Sequence, residues 1–392
     1  MLYFPVKYYI LYARSLPTPT RSVFLFGPRG TGKTTWIRDR FPTAAAYDLL
    51  DTREALRLSK NPDVLFRELA ALPAGSWAVI DEVQKVPELL NEVHRLIEAR
   101  GLRFVLSGSS ARKLRRRGVN LLAGRAITTT LFPLVSAELD FELDVERALS
   151  YGTLPMALVE DDPLDYLRTY AETYLVQEVQ AEALTRNLGA FARFLEIAAR
   201  QNAQATNATS IARDAGIDRR TVQNHFAILT DTLIGYWLPA WKLKSATKQV
   251  RQSKFYFFDG GVVRALSGRL PYPPTLEERG PLVETLILNE IRAFLSYTGR
   301  HYRPHYWRSY DDAEVDVLCE TAAGFVAIEI EATTRWDRRF NRGLHRVRQH
   351  LAPHATTCFG VYLGQRAALW DDVRILPALD FLKRLWDGEV LR

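Results

Sequence analysis

The apolar residues of this chain fall into two rhythms. In the N-terminal third they come as short unbroken runs: Ser22-Val23-Phe24-Leu25-Phe26, Trp77-Ala78-Val79-Ile80 and Arg103-Phe104-Val105-Leu106. Such runs are too short for helices, and their unbroken apolar character predicts strands buried on both faces, as in parallel sheets. A helical pattern opens at Thr34-Thr35-Trp36-Ile37-Arg38 and stops at Pro42. After Phe132-Pro133 the rhythm turns helical, with apolar residues three and four apart over 165–184 and 188–201. Residues 210–215 then read as a short helix, Gly216-Ile217 as a tight turn, and Asp218 as the N-cap of a helix running to 229. Tyr236-Trp237-Leu238 and Phe255-Tyr256-Phe257-Phe258 read as two strands around a basic hairpin. The last third holds a helical run at 282–295 and two strand-like runs, 313–318 and 325–331, joined by a turn at Ala322-Ala323-Gly324.

The first strand and first helix enclose Gly27-Pro28-Arg29-Gly30-Thr31-Gly32-Lys33-Thr34, followed by Thr35. This is a phosphate-binding P-loop. Its glycines let backbone N–H groups approach phosphate oxygens, and the helix that follows adds its positive N-terminal end. Lys33 is expected on the β- and γ-phosphates of a nucleoside triphosphate, and the Thr34 hydroxyl on magnesium. The second strand ends in Asp81-Glu82, a Walker B pattern. Asp81 is the expected holder of the magnesium shell, and Glu82 the residue that orients or deprotonates the attacking water. The third strand ends in Ser107-Gly108-Ser109-Ser110, where ligands bind in open α/β sheets. Ser107 or Ser109 is the candidate sensor of the γ-phosphate. The order of P-loop, acid pair and polar-ended strand suits the AAA-type branch of these ATPases.

Length allows two or three domains in 392 residues. Two cysteines argue against a disulfide framework and suit a reducing cytoplasm. No apolar run reaches the ~20 residues of a membrane span, and residues 1–16 do not make a signal peptide. The net charge of +7 is concentrated in three places: 112–125, 213–254 and 335–348. Nucleic acid is therefore a reasonable partner. In the helix–turn–helix stretch Arg219, Arg220, Gln223 and Asn224 fall on the polar side, while Val222, Phe226 and Leu229 face a core. With Lys242, Lys244, Lys248 and Arg251 in the hairpin beyond, and Lys254 closing it, this predicts a winged helix contacting phosphates and base edges.

In the last third Glu284 lies on a helix, Asp316 on one strand and Glu329 on the next. Acids so placed are expected to converge on one magnesium ion. This is the layout of the PD-(D/E)XK nucleases, except that the lysine position is occupied by Glu331. A glutamate cannot supply the positive charge that lysine gives to the hydrolytic centre, although some nucleases of this fold carry Glu there, so the residue does not exclude cleavage.

Gly27–Thr34, then Ile80-Asp81-Glu82-Val83-Gln84 with Pro87, Leu106-Ser107-Gly108-Ser109-Ser110 and Leu122-Ala123-Gly124-Arg125, resembles a large prokaryotic family of AAA-type ATPases. Tyr306-Trp307-Arg308, Glu314-Val315-Asp316 and Ile328-Glu329-Ile330-Glu331 are similar to the end of its C-terminal region, a winged helix plus a nuclease-like fold. The resemblance runs from about residue 20 to 350. It implies hydrolysis of ATP rather than GTP, a ring or other oligomer, and DNA as partner; among oligomers a hexameric ring is the foremost expectation. It also implies that Arg125 reaches the nucleotide, in a neighbouring subunit if the site lies at a subunit boundary.

The expected architecture is α/β throughout: an N-terminal extension (1–20), a P-loop AAA-type ATPase core (21–145), a helical segment (146–204), a winged helix (205–258) and an α/β nuclease-like domain (259–392). The expected function is ATP hydrolysis coupled to remodelling of, or translocation on, duplex or branched DNA. The rivals are an ATP-dependent switch that binds a protein, and an ATP-gated nuclease.

Overall fold

In the computed structural model, which describes residues 12–109, 122, 124–175, 187–242 and 252–392, each N-terminal apolar run is a strand. The chain divides into two compact units. The first comprises Leu16–Pro133 together with Ile228–Ile234. Its elements are β1 (Val23–Phe26), α1 (Lys33–Arg40), β2 (Ala45–Asp48), α2 (Thr52–Lys60), α3 (Asp63–Leu69), β3 (Trp77–Asp81), α4 (Leu89–Arg100), β4 (Arg103–Gly108) and β5 (Ile127–Thr130). All five strands are parallel, in the order β2-β3-β4-β1-β5. The strand carrying Ser107 therefore lies between the P-loop strand and the strand of the acid pair. Phe24, Phe26, Ile80, Phe104 and Leu106 pack with Leu49, Leu65, Leu89 and Val93 in one core. Each such side chain contributes about 1.5–3 kcal/mol by leaving water.

The second unit takes in residues 134–227 and 235–392. It begins with short helices α5 (Val145–Tyr151), α6 (Pro155–Val159) and α7 (Pro163–Thr169), then α8 (Leu188–Arg200). Next come α9 (Ala208–Ala215) and α10 (Arg219–Asp231), whose last residues group with the first unit. Gly216 turns the chain at φ 65° and Asp218 accepts from the Thr221 N–H at 2.9 Å, as expected, and Asn207 caps α9. β6 (Gly235–Leu238) pairs antiparallel with β7 (Lys254–Phe257). Lys244, Lys248 and Arg251, the basic run at 112–117 and the expected helix beyond 175 lie outside the described residues.

The remainder is α11 (Gly260–Leu266), α12 (Leu276–Tyr297), β8 (Pro304–Arg308), β9 (Glu314–Thr321), β10 (Gly324–Glu331), α13 (Asn341–Leu351), β11 (Thr356–Tyr362), β12 (Ala368–Trp370), β13 (Val373–Pro377) and α14 (Ala378–Trp386). The six strands form one mixed sheet, β12-β13-β11-β10-β9-β8. β8, β9 and β10 are an antiparallel meander, and β11 returns parallel to β10 through α13. Helix α13 lies close against β9: a Cβ on Gly343 would sit 1.8 Å from the Glu314 carbonyl oxygen.

That contact makes an expectation. Gly343→Ala forces α13 off the sheet and destabilises by about 1–3 kcal/mol, the usual cost of overpacking. Gly280→Ala, in α12 with nothing within 4 Å of an added Cβ, instead stabilises by about 0.5–1 kcal/mol. Melting temperatures of the two variants moving in opposite directions would bear this out.

Candidate nucleotide site and a second carboxylate cluster

The P-loop leaves β1 at its buried end and enters α1 at Gly32. Gly30 and Gly32 both have left-handed backbones, at φ 81° and 88°, where a side chain would be strained. Gly27 is needed for a different reason, since a Cβ there would lie 2.5 Å from the Leu131 carbonyl oxygen. Thr31 Oγ1 donates to the Pro28 carbonyl at 2.9 Å and braces the turn. Lys33 is only 7% exposed, and its Nζ donates to the carbonyls of Gly27 at 2.7 Å and Pro28 at 3.0 Å.

Asp81 ends β3, two strands from the loop. The intervening β4 makes the junction. Thr34 Oγ1 donates to Asp81 Oδ2 at 2.8 Å, and Ser107 Oγ, fully buried on β4, donates to Asp81 Oδ1. The structure thus brings Lys33, Thr34, Asp81 and Ser107 to one end of the sheet. Glu82 follows with a left-handed backbone, φ 58°, a conformation that costs a non-glycine residue free energy and clusters at functional sites. Ser109 lies farther along and is reached by Gln84 Nε2 at 3.4 Å. Of the two sensor candidates, Ser107 is the one bonded to the acid pair.

Gln84 was not singled out by sequence reasoning as a site residue. Its Nε2 also donates to Glu82 Oε2, so it links the second acid to the end of β4. Gly108 leaves room for it, because a Cβ there would lie 2.3 Å from Gln84 Oε1. The signal was the small residue at 108, whose reason appears only when β4 is placed beside β3. Arg125 pairs with Glu98 of α4 and is partly exposed.

A magnesium-bound triphosphate fits these residues. A hydroxyl and a carboxylate stand side by side, which suits an ion that takes its other ligands from phosphate and water. The glycine turn and the first turn of α1 supply backbone N–H groups where an anion is favoured.

The second cluster sits at the junction of β7, α12 and the β9–β10 pair. Glu284 accepts from Tyr256 Oη at 2.8 Å, and Asp316 Oδ2 accepts from the Ile330 N–H at 2.8 Å. Burial, reinforced by Glu284, pushes Asp316 up to about 7. Burial also raises Glu284, puts Glu329 well above the carboxylate range, and takes Glu331 to about 7. Among them lies Lys254, 7% exposed, with Nζ 2.6 Å from Glu314 Oε1, 3.5 Å from Glu284 Oε2 and 3.6 Å from Asp316 Oδ1. Burial alone would lower this ammonium, but Glu284, Asp316 and Glu314 raise it above the ordinary lysine range.

Lys254, read with the basic hairpin, points inward to carboxylates. Glu284, Asp316 and Glu329 come together in one buried carboxylate cluster, with Glu329 Oε2 buried and, among the described residues, without a hydrogen-bond partner. Among the described residues no group of three or more His, Cys, Asp or Glu side chains is arranged to hold a metal ion. An ammonium already lies against two of those three carboxylates.

On α10, Arg219, Arg220, Gln223 and Asn224 are all exposed, and Val222, Phe226 and Leu229 are buried. Lys242 is exposed. No helix among the described residues is long and apolar enough to cross a membrane.

The Gln84 link generates an expectation for turnover. Gln84→Ala frees the Glu82 carboxylate and lowers the rate of ATP hydrolysis about 10–100-fold, the usual cost of losing a supporting hydrogen bond behind a working group. Affinity for an ATP analogue, measured by calorimetry, stays within about twofold, because no phosphate ligand is removed.

Comparison with known proteins agrees with the N-terminal geometry. Residues 19–139 match the family model described as an AAA domain, 142–272 a domain of unknown function (DUF8612), and 279–381 another domain of unknown function (DUF4143). Two curated relatives are the uncharacterized proteins Mb2031c of Mycobacterium bovis and Rv2008c of Mycobacterium tuberculosis. Each is 26% identical over 326 residues, covering 80% of this chain and 70% of the relative. Among solved structures, one similar chain is a Signal Transduction ATPase with Numerous Domains (STAND) protein with a tetratricopeptide repeat sensor from Pyrococcus horikoshii. It is 16% identical with a TM-score of 0.23, over 72% of this chain and 46% of that one. Another comes from a study of DNA unwinding at forked duplexes by two coordinating Pif1 helicases, 14% identical with a TM-score of 0.23, over 43% of this chain and 55% of that one. The chain thus spans about half the length of each, and at that score neither likeness bears on function. The AAA match over the P-loop, the acid pair and the serine-ended strand supports an AAA-type ATPase.

Proposed function

We infer that the protein hydrolyses ATP with magnesium at the P-loop and couples the turnover to remodelling of, or movement along, DNA. The observation that carries the ATPase half is the Asp81 carboxylate held between the Thr34 hydroxyl and Ser107 at the mouth of the glycine turn. Magnesium, when bound, would supply positive charge against the phosphates. The chain's own residues do the rest. The loop N–H groups and Lys33 grip the β- and γ-phosphates. Thr34 and Asp81 hold the ion's coordination shell. Glu82, with Gln84 behind it, orients the attacking water. Ser109 and Ser107 lie at the strand end that senses the γ-phosphate.

Arg125 is assigned the role of an arginine acting on the transferring phosphoryl group from a neighbouring subunit. That role calls for self-association, and a ring, with a hexamer foremost, is the form assigned to it.

DNA is assigned to the second unit. Four exposed polar residues on one face of α10 follow a glycine-turned helix pair, and such a face presents donors to phosphates and base edges. Exposed Arg335, Arg338, Arg339, Arg342 and Arg346, around and along α13, add a second basic surface. The helix, three-strand meander, helix and parallel strand of this unit support the nuclease-like reading of its fold.

The test is ATPase rate with and without duplex, forked, four-way and single-stranded DNA at low salt, where phosphate contacts are strong. Stimulation by at least one DNA form is expected. Arg219→Glu with Arg220→Glu should remove most of it while leaving the basal rate unchanged, and Lys33→Ala should abolish hydrolysis altogether. If every DNA form leaves rate and retention unchanged, the motor reading is lost and a protein-binding switch stands in its place.

A further inference from the structure

The carboxylate cluster of the second unit departs from the nuclease layout in two linked ways. Position 331 of β10 carries Glu, not Lys. The positive charge comes instead from Lys254, on a strand remote in sequence. Its backbone is pinned on both sides, to Leu238 of β6 and, through an isolated bridge, to Ala205. Its side chain then runs inward to Glu314, Glu284 and Asp316, with the Tyr306 ring 5.5 Å from Nζ on another side. Aromatic faces of this kind favour a desolvated cation. The ammonium is thus surrounded by three carboxylates and a ring, and it is almost wholly shielded from water.

We propose that Lys254 is the built-in cation of this cluster, holding the place a divalent ion would take, so that the second unit is a metal-independent DNA-binding or structural module rather than a nuclease. The geometry favours this over a metal centre with an accessory lysine. Magnesium demands near-octahedral oxygens at about 2.0–2.1 Å. Here the oxygens of Glu314, Glu284 and Asp316 lie 2.6, 3.5 and 3.6 Å from a nitrogen, the first at hydrogen-bonding distance and the other two as ion pairs. Asp316 spends its other oxygen on the Ile330 N–H. Glu284 accepts from Tyr256 with the same Oε2 that faces Lys254. The proposal is independent of ATP hydrolysis and of DNA contact through α10.

Manganese binding to the full-length, nucleotide-free chain tests it, followed by the loss of the free-ion paramagnetic resonance signal. Wild type and Asp316→Asn should take up the same number of ions. Lys254→Met should melt at a lower temperature, bind one additional ion, and recover melting temperature when manganese is added. Lys254→Met combined with Asp316→Asn should lose the additional ion. Manganese bound by wild type and lost in Asp316→Asn overturns the proposal, as does a folded Lys254→Met that gains no ion. If Lys254→Met does not fold, the comparison of wild type with Asp316→Asn decides the question alone.

Discussion

One carboxylate ties the nucleotide site together. Asp81 is 6% exposed at the end of β3, and it is bonded on one oxygen by Thr34 and on the other by Ser107. Those partners come from the start of α1 and the end of β4. The three meet because β4 runs between β1 and β3, a consequence of strand order rather than of any local signal. A buried polar group left without partners is costly. The two hydroxyl donors satisfy the carboxylate and fix where it points. The hydroxyls cannot leave without exposing that cost, so the site is preorganised by the requirement to satisfy Asp81.

The same rule, that buried charge must be paired, organises the second unit. There the acids are clustered and the buried compensating charge is Lys254, reached from a strand that the sequence assigns to a basic hairpin, with Arg308 against Glu314 as well. Leaving either side of such a pair unpaired is far more damaging than its net contribution when intact. The two units therefore meet one electrostatic constraint in different ways. One unit holds an acid with neutral hydroxyls, leaving it available to a cation from outside. The other sets an ammonium from within against Glu314, Glu284 and Asp316.

Much of this was legible before folding, because the informative patterns are contiguous. The glycine turn, the acid doublet and the serine-ended strand are each a few residues long. The helix pair before β6 is marked by Gly216 and Asp218, whose turning and capping preferences act over three or four residues; Asn207, which caps the first helix, was not read. The positions of Glu284, Asp316 and Glu329 on a helix and two strands were also readable. What could not be read was which side chains meet across the sheets. Gln84 looked like part of a motif, yet its function depends on the space left by Gly108. Lys254 was grouped with Lys242, Lys244, Lys248 and Arg251 by charge alone. On a strand alternate side chains face opposite ways, and only the pairing with β6 and the approach of α12 and β9 turn this one inward.

The most direct measurement is a structure of the full chain with magnesium and a non-hydrolysable ATP analogue in excess. The account predicts the triphosphate wrapped by Gly27 to Thr34, with the ion between its phosphates and the Thr34 hydroxyl and Asp81 in its coordination shell. A glycine turn without nucleotide in every subunit at saturating analogue, or an analogue seated elsewhere on the chain, would contradict it.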